Sequence, residues 1–202
     1  MARRLPLRPD MSPSNIEKVL QVFFRDHAGE TFCAMAIDAG FLYLNTDEGF
    51  EKRRQRYSAE WEVATKPVTL AEAKACAKDD LSDNYPSLAY RLRTGESFER
   101  ALEVENKSRA KRRAEGNPYE TRGSDSWQSL RYGTGNFEYG ELVNLNLDDA
   151  YQEHHEENQP VDSAYAKKVS VIIAGLNEQK AQLLEGVKVS KDFRIYAVDH
   201  PL

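Results

Sequence analysis

Cysteine is scarce in this chain of 202 residues: there are two, Cys33 and Cys76, and neither has a CxxC neighbour. A zinc ribbon or a dithiol redox motif is thereby excluded. Long apolar runs are missing as well. No window approaches the roughly 18 consecutive apolar residues of a membrane span. Arg3, Arg4 and Arg8 are not followed by an apolar stretch, so no secretory leader is expected. Two unpaired thiols fit a reducing compartment, and a cytoplasmic location is expected. A net charge of -5 and a pI near 5.5 disfavour nucleic acid as a partner. No internal repeat is present.

Leu, Ile, Val and Phe together make 43 of the 202 residues. That composition predicts a small core under a wet, charged surface. The length suits one compact domain spanning 1–202, large enough to fold without a covalent staple.

Hydrophobic spacing places the elements. Ile16, Val19, Leu20, Phe23 and Phe24 repeat at helical intervals. They predict a helix over 11–29, with Ser14-Asn15-Ile16-Glu17 as a capping box. Thr31–Asp38 and Phe41–Asn45 flank Ala39-Gly40 and read as a hairpin. The first of these strands is apolar on both faces, which predicts a central position in its sheet. Thr46, ahead of Asp47, Glu48 and Glu51, caps a second helix, with Trp61 and Val63 read as a short strand after it. Thr69-Leu-Ala-Glu72 opens a third helix reaching about Leu81. Leu88, Tyr90 and Leu92 fit a strand or a helical turn equally. Trp127–Tyr139 reads as strand and turn, and Leu142, Leu145 and Tyr151 as a short helix. Val161–Leu184 reads as the longest helix, and Phe193–Val198 as a closing strand. Hairpins with flanking helices define an α+β fold, an antiparallel or mixed β-sheet flanked by helices. Residues 103–126 are poor in apolar side chains. They predict a solvated helix end and a mobile insertion.

Charge is segregated. From Tyr132 to Ala166 there is no Lys or Arg, while Glu138, Glu141, Asp148, Asp149, Glu153, Glu156, Glu157 and Asp162 all fall within that span. Eight carboxylates without a counterion create a strongly negative local potential. The plain reading is a solvated loop. The functional one is a docking face for a basic protein.

Other motifs carry less. His154-His155-Glu156-Glu157 lacks the HExxH spacing that would aim two imidazoles at one ion. Asp199-His200 are neighbours on a strand, point to opposite faces, and have no GxSxG elbow to serve. Gly133-Thr134-Gly135 fits a turn better than a phosphate loop, and the basic run Lys107–Arg113 reads as a solvated helix face.

Three passages, Thr31–Asp38 running to Leu44-Asn-Thr-Asp-Glu-Gly49, Trp127–Tyr139, and Phe193-Arg-Ile-Tyr-Ala-Val-Asp-His200, resemble in their order a bacterial family of uncharacterised cytosolic α+β domains. Some domains of that kind look like toxin-immunity proteins. The resemblance carries no catalytic residues with it, and the basic insertion at 103–126 has no counterpart in it.

Together these readings predict a non-enzymatic, cytoplasmic protein-binding domain. Its partner is expected to be basic, a cognate bacterial toxin blocked by occlusion. Asp148, Asp149, Tyr151, Glu153, Glu156 and Glu157 are the expected contact residues, and no cofactor, metal or membrane is implied. An enzyme with a carboxylate/His site and a regulatory or scaffold domain are the alternatives.

Overall fold

The computed structural model describes residues 13–76, 83–156 and 162–198, with only the backbone of Pro13, Ser14 and Asp148. The fold is α+β. The chain divides into two compact units: Met1–Arg53 with Gln128–Leu202, and Arg54–Trp127.

The first unit is built on a four-stranded sheet of order β3-β2-β1-β4, made of β1 (Phe32–Asp38), β2 (Phe41–Thr46), β3 (Tyr139–Asn144) and β4 (Val189–Ala197). The β1–β2 and β2–β3 pairs are antiparallel, whereas β4 runs parallel to β1. The central place expected for β1 is the one it occupies, and all seven of its residues are buried. Between Phe32 and Ala34 the register with both neighbours slips. Cys33, Ala34 and Ala36 thereby share one face of the sheet, and Phe32, Met35 and Ile37 the other.

The larger face buries the main core. Helix α1 (Pro13–Asp26) contributes Ile16, Leu20, Phe23 and Phe24, the stripe read from sequence. Pro13 lies in the first turn, where its missing N–H removes no bond. Ser14 is therefore inside the helix, and its side chain lies outside what is described. On the opposite face the small residues of β1 admit Phe137, Tyr132, Tyr196 and Tyr43.

The hairpin turn is Ala39-Gly40, with φ of 47° and 80°. Positive φ at both central positions is the type I′ geometry whose twist suits a two-residue hairpin. Gly40 adopts it freely, while Ala39 pays a steric penalty there.

Thr46 Oγ1 accepts from Gly49 N at 3.0 Å and caps α2 (Asp47–Thr65) as its sequence requires. This helix continues through Trp61 and Val63, so the short strand expected there does not form. Tyr57, Ser58, Trp61 and Thr65 make a half-buried stripe at helical spacing, and Val63 points to solvent.

The second unit is helical. It holds the later part of α2, then α3 (Leu70–Ala75), α4 (Pro86–Arg93) and α5 (Phe98–Glu115). The Thr69/Glu72 capping box is formed, with both reciprocal bonds present. The helix ends at Ala75, because Cys76 turns extended, and does not run on toward Leu81 as expected; residues 77–82 lie outside the described residues. Leu88, Tyr90 and Leu92 are helical, resolving the earlier ambiguity. A small core joins Val68, Ala73, Leu88, Ala101 and Leu102. Residues 103–115 complete α5. The turns after it are tied to α2 by Asn117 Nδ2 donating to Ser58 Oγ at 2.8 Å and by Tyr57 stacked on Tyr119. Arg109, in the middle of the basic run, is buried rather than solvated.

Three further expectations are corrected. Asp125–Tyr132 is a helix, α6, followed by a 3-10 turn at Thr134–Asn136, not a strand. Leu142 belongs to β3. The long C-terminal helix is divided into α8 (Ala164–Glu178) and α9 (Lys180–Leu183), and α2, with 19 residues, exceeds it. Between β3 and α8 lies α7 (Asp148–Glu156).

Because Ala39 occupies a left-handed position, Ala39→Gly is expected to stabilise the chain by about 1 kcal/mol. The change would read out as a higher denaturant midpoint at constant m-value.

Candidate functional site

The acidic segment folds around α7, whose two sides differ. Leu147 before it is buried, and Ala150, Tyr151 and His154 turn toward the core. Tyr151 meets Tyr165 edge-on, with ring centroids 5.2 Å apart, and His154 lies 5.0 Å from the same ring. Ser163 caps α8 by accepting from Ala166 N at 3.0 Å. Its own hydroxyl is 2.8 Å from His154 Nδ1, so the same serine starts one helix and pins the other. Tyr165 in turn accepts from Gly40 N through its hydroxyl. A helix of 9 residues is too short to persist alone; these aromatic and polar ties hold it.

Asp149, Gln152, Glu153 and Glu156 fall at helical spacing on the opposite, exposed side. Among the described residues no lysine or arginine pairs with Asp149, Glu153 or Glu156. Gln152 Nε2 donates to Glu156 Oε1 at 3.2 Å. Glu153 and Glu156 also lie in the last turns, where the helix dipole presents its negative end. Carboxylates there are disfavoured by about 0.3–1 kcal/mol each, and a cation is welcomed.

The remaining residues of the acidic segment, expected contacts among them, divide. Glu138 is folded back onto this chain, 3.0 Å from Arg53 Nη1. Glu141 is exposed at a backbone φ of 49° and is engaged elsewhere in the chain. Asp162 is exposed. Glu157 lies outside the described residues, and of Asp148 only the backbone is described. Tyr151 is half-buried on the inner side and not on the acidic face. Burial, and then the nearby Asp38 carboxylate, raises its phenol above the ordinary range. The unit containing α7 carries 20 acidic against 14 basic residues, and the helical unit 13 against 14. The chain's negative balance therefore resides where the unpaired carboxylates are.

Other polar clusters were not foreseen. His27 Nδ1, the Glu30 carboxylate and the Tyr139 hydroxyl lie within 2.9 Å of one another. Burial and the hydrogen bond to Glu30 push the Tyr139 phenol well above its usual range. This phenol donates a hydrogen bond to the Glu30 carboxylate, clipping the turn after α1 to β3, and, kept protonated, is a poor nucleophile. On the other sheet face Arg131 donates to Asp47 at 2.8 Å and to Asp192 at 2.6 Å. The Thr134 hydroxyl donates to Asp38, both residues being buried. Within the HHEE motif His154 is buried and His155 exposed. Among the described residues no group of three His, Cys, Asp or Glu side chains could hold a metal ion. Asp199-His200 lies outside the described residues. No described helix is long and apolar enough to cross a membrane.

No protein-family model matches the sequence, and no curated protein or solved structure matches it either. The geometry above is therefore the ground for a functional reading.

Both cysteines are free, and they differ sharply. Cys33 is fully buried. Burial pushes its thiol up to about 12 from the ordinary 9.0, against the opposing pull of Arg131. Tyr43 is likewise raised to about 12 by burial, then by Asp38. A group raised on folding stabilises the fold fully below its unfolded value and loses that contribution as pH climbs to the folded value. Stability is therefore expected to fall between pH 9 and 12, and Cys33→Ser to flatten the decline. Thermal melts across that range check this. At pH 8 iodoacetamide should label Cys76 in the native chain and reach Cys33 only after unfolding.

Proposed function

We propose that this chain is a protein-binding domain that presents the outer face of α7 to a cationic partner. The observation that carries the reading is the pattern of Asp149, Glu153 and Glu156. They share one exposed helix side without an intramolecular counterion among the described residues, while Glu138 of the same acidic segment is neutralised by Arg53. A bank of unneutralised carboxylates steers basic surfaces and raises the rate of encounter. Asp148 and Glu157 flank these residues in the sequence. Tyr151 supports it from beneath by fixing the helix on Tyr165.

A basic toxin held off its target by occlusion is the partner that the sequence resemblance implies. Free thiols favour a cytoplasmic setting for that role. The reading requires no bound cofactor, and the chain acts by covering a surface.

A poly-arginine peptide serves as the cationic probe, with surface plasmon resonance at two ionic strengths as the measurement. Wild type should bind with strong salt dependence. Asp149→Lys, Glu153→Lys and Glu156→Lys together should slow association at least tenfold, with melting temperature little changed, since the helix dipole favours lysine at the last-turn positions Glu153 and Glu156 and disfavours it at Asp149 in the first turn. The charge-matched control is Glu99→Lys, Glu103→Lys and Glu115→Lys, all exposed on α5. If the control weakens binding equally, attraction depends on net charge alone and the face has no special part in it.

A further inference from the structure

We infer that Lys66–Cys76, the segment carrying α3, is a strap that lifts off α5 as a unit while α4 and α5 remain paired. Most of what holds it is polar. Asn106 accepts from Val68 N at 2.8 Å and donates to Val68 O at 2.9 Å, mimicking a rung of strand pairing. Arg109 Nη1 donates to Lys66 O at 3.2 Å. Among the described residues the segment's buried apolar side chains are Val68 and Ala73, Lys74 lies over the Phe98 ring, and Leu70 points outward.

The strap is also self-contained. Thr69 and Glu72 close its capping box within the segment, so it needs no bond from α5 to keep its turn. Segments with few buried apolar contacts open first in native proteins.

Beneath the strap lies a group that gains from opening. Glu105 and Arg109 are 2% and 5% exposed and pair at 2.7 Å. Arg109 uses its other nitrogens on Lys66 O and Asn84 O and lies over the Tyr85 ring. Glu105 Oε2, in contrast, is buried with no hydrogen-bond partner among the described residues. Burying an ion pair is unfavourable unless every polar atom is satisfied, and here one carboxylate oxygen is not. Lifting the strap admits water to that oxygen, which offsets part of what the lost contacts cost. The closed and open forms thus lie closer in free energy than the contacts alone indicate. Opening uncovers an apolar stripe of Leu88, Ala101 and Leu102.

Native-state hydrogen exchange on the full chain, followed through low denaturant concentrations, tests this. The Val68 amide, held by Asn106, and the Ala73 amide, held by Thr69 O, should exchange at one common rate. That rate should be at least tenfold faster than the middle of α5, with a smaller denaturant slope. Asn106→Ala should speed both about tenfold and leave α5 unchanged. Fraying of α3 alone would release Ala73 while Val68 kept the rate of α5, and that result overturns the proposal. So does a single rate and slope shared by strap and α5. Should Asn106→Ala fail to fold, the wild-type slopes decide between these outcomes.

Discussion

The first unit is organised around one buried guanidinium. Arg131, 7% exposed, bonds Asp47 at the start of α2 and Asp192 in β4, while its backbone carbonyl accepts from the buried Asn45 of β2. Four elements meet at this one residue. Its demands explain an irregularity in the sheet. Phe32 pairs with Val189, yet Ala34 pairs with Arg194, so β4 has three more residues than β1 over that stretch. The excess carries Asp192 to Arg131 and brings the Ser190 hydroxyl to Asp47. Bulges re-aim side chains in this way. Burial alone would raise the Asp192 carboxyl, but the hydrogen bond and charge of Arg131, with the Tyr132 hydroxyl, together outweigh it and hold the group below its ordinary range. The knot is charged on both sides and internally satisfied.

That satisfaction gives meaning to the carboxylates elsewhere. Asp47, Asp192 and Glu138 all face arginines of their own unit. The chain therefore has the means to neutralise acids and uses it at the sheet. On α7 it does not, although the helix end makes negative charge unfavourable at Glu153 and Glu156. A solvated surface tolerates such a pattern at a modest penalty, and a positively charged surface reverses that penalty. The same preference that weakly destabilises the free helix would favour the bound one.

Much of the α+β architecture could be read from sequence where side-chain patterning and local chemistry agreed. The α1 stripe, the Ala39-Gly40 turn, the Thr46 cap and the Thr69/Glu72 box are each set by neighbours in the chain. The failures share a cause. Trp61 and Val63 suggested a strand because only Trp61 is on the buried side, and the stripe it belongs to includes Tyr57, Ser58 and Thr65. In α6 the inward positions are Trp127, Leu130 and Arg131, and a hydropathy count discards the arginine. Ser124, whose hydroxyl accepts from Trp127 N, was the available sign of a helix start. In α5 the buried stripe runs Ala101, Leu102, Glu105, Arg109, so half of it looked like solvent-exposed charge. The i,i+4 spacing of Glu105 and Arg109 was visible, but equally common on surfaces. The acidic segment itself was legible as composition. Which of its members stay unpaired depended on Arg53, which is 85 residues from Glu138 in sequence, and no local pattern contains that distance.

Both units thus place an arginine–carboxylate pair where an apolar residue would ordinarily be, with opposite consequences. Arg131 has two carboxylates and no shortage of acceptors, and it fixes the register of a sheet. Arg109 shares one carboxylate whose second oxygen has no partner among the described residues, beneath a segment held by few apolar contacts. Buried charge rigidifies where its hydrogen bonds are complete and marks a place of easy opening where they are not. In the first unit the rigid knot lets α7 display its carboxylates from a sheet-anchored scaffold, a condition for electrostatic docking with little ordering penalty. In the second unit the same chemistry, one bond short, favours motion.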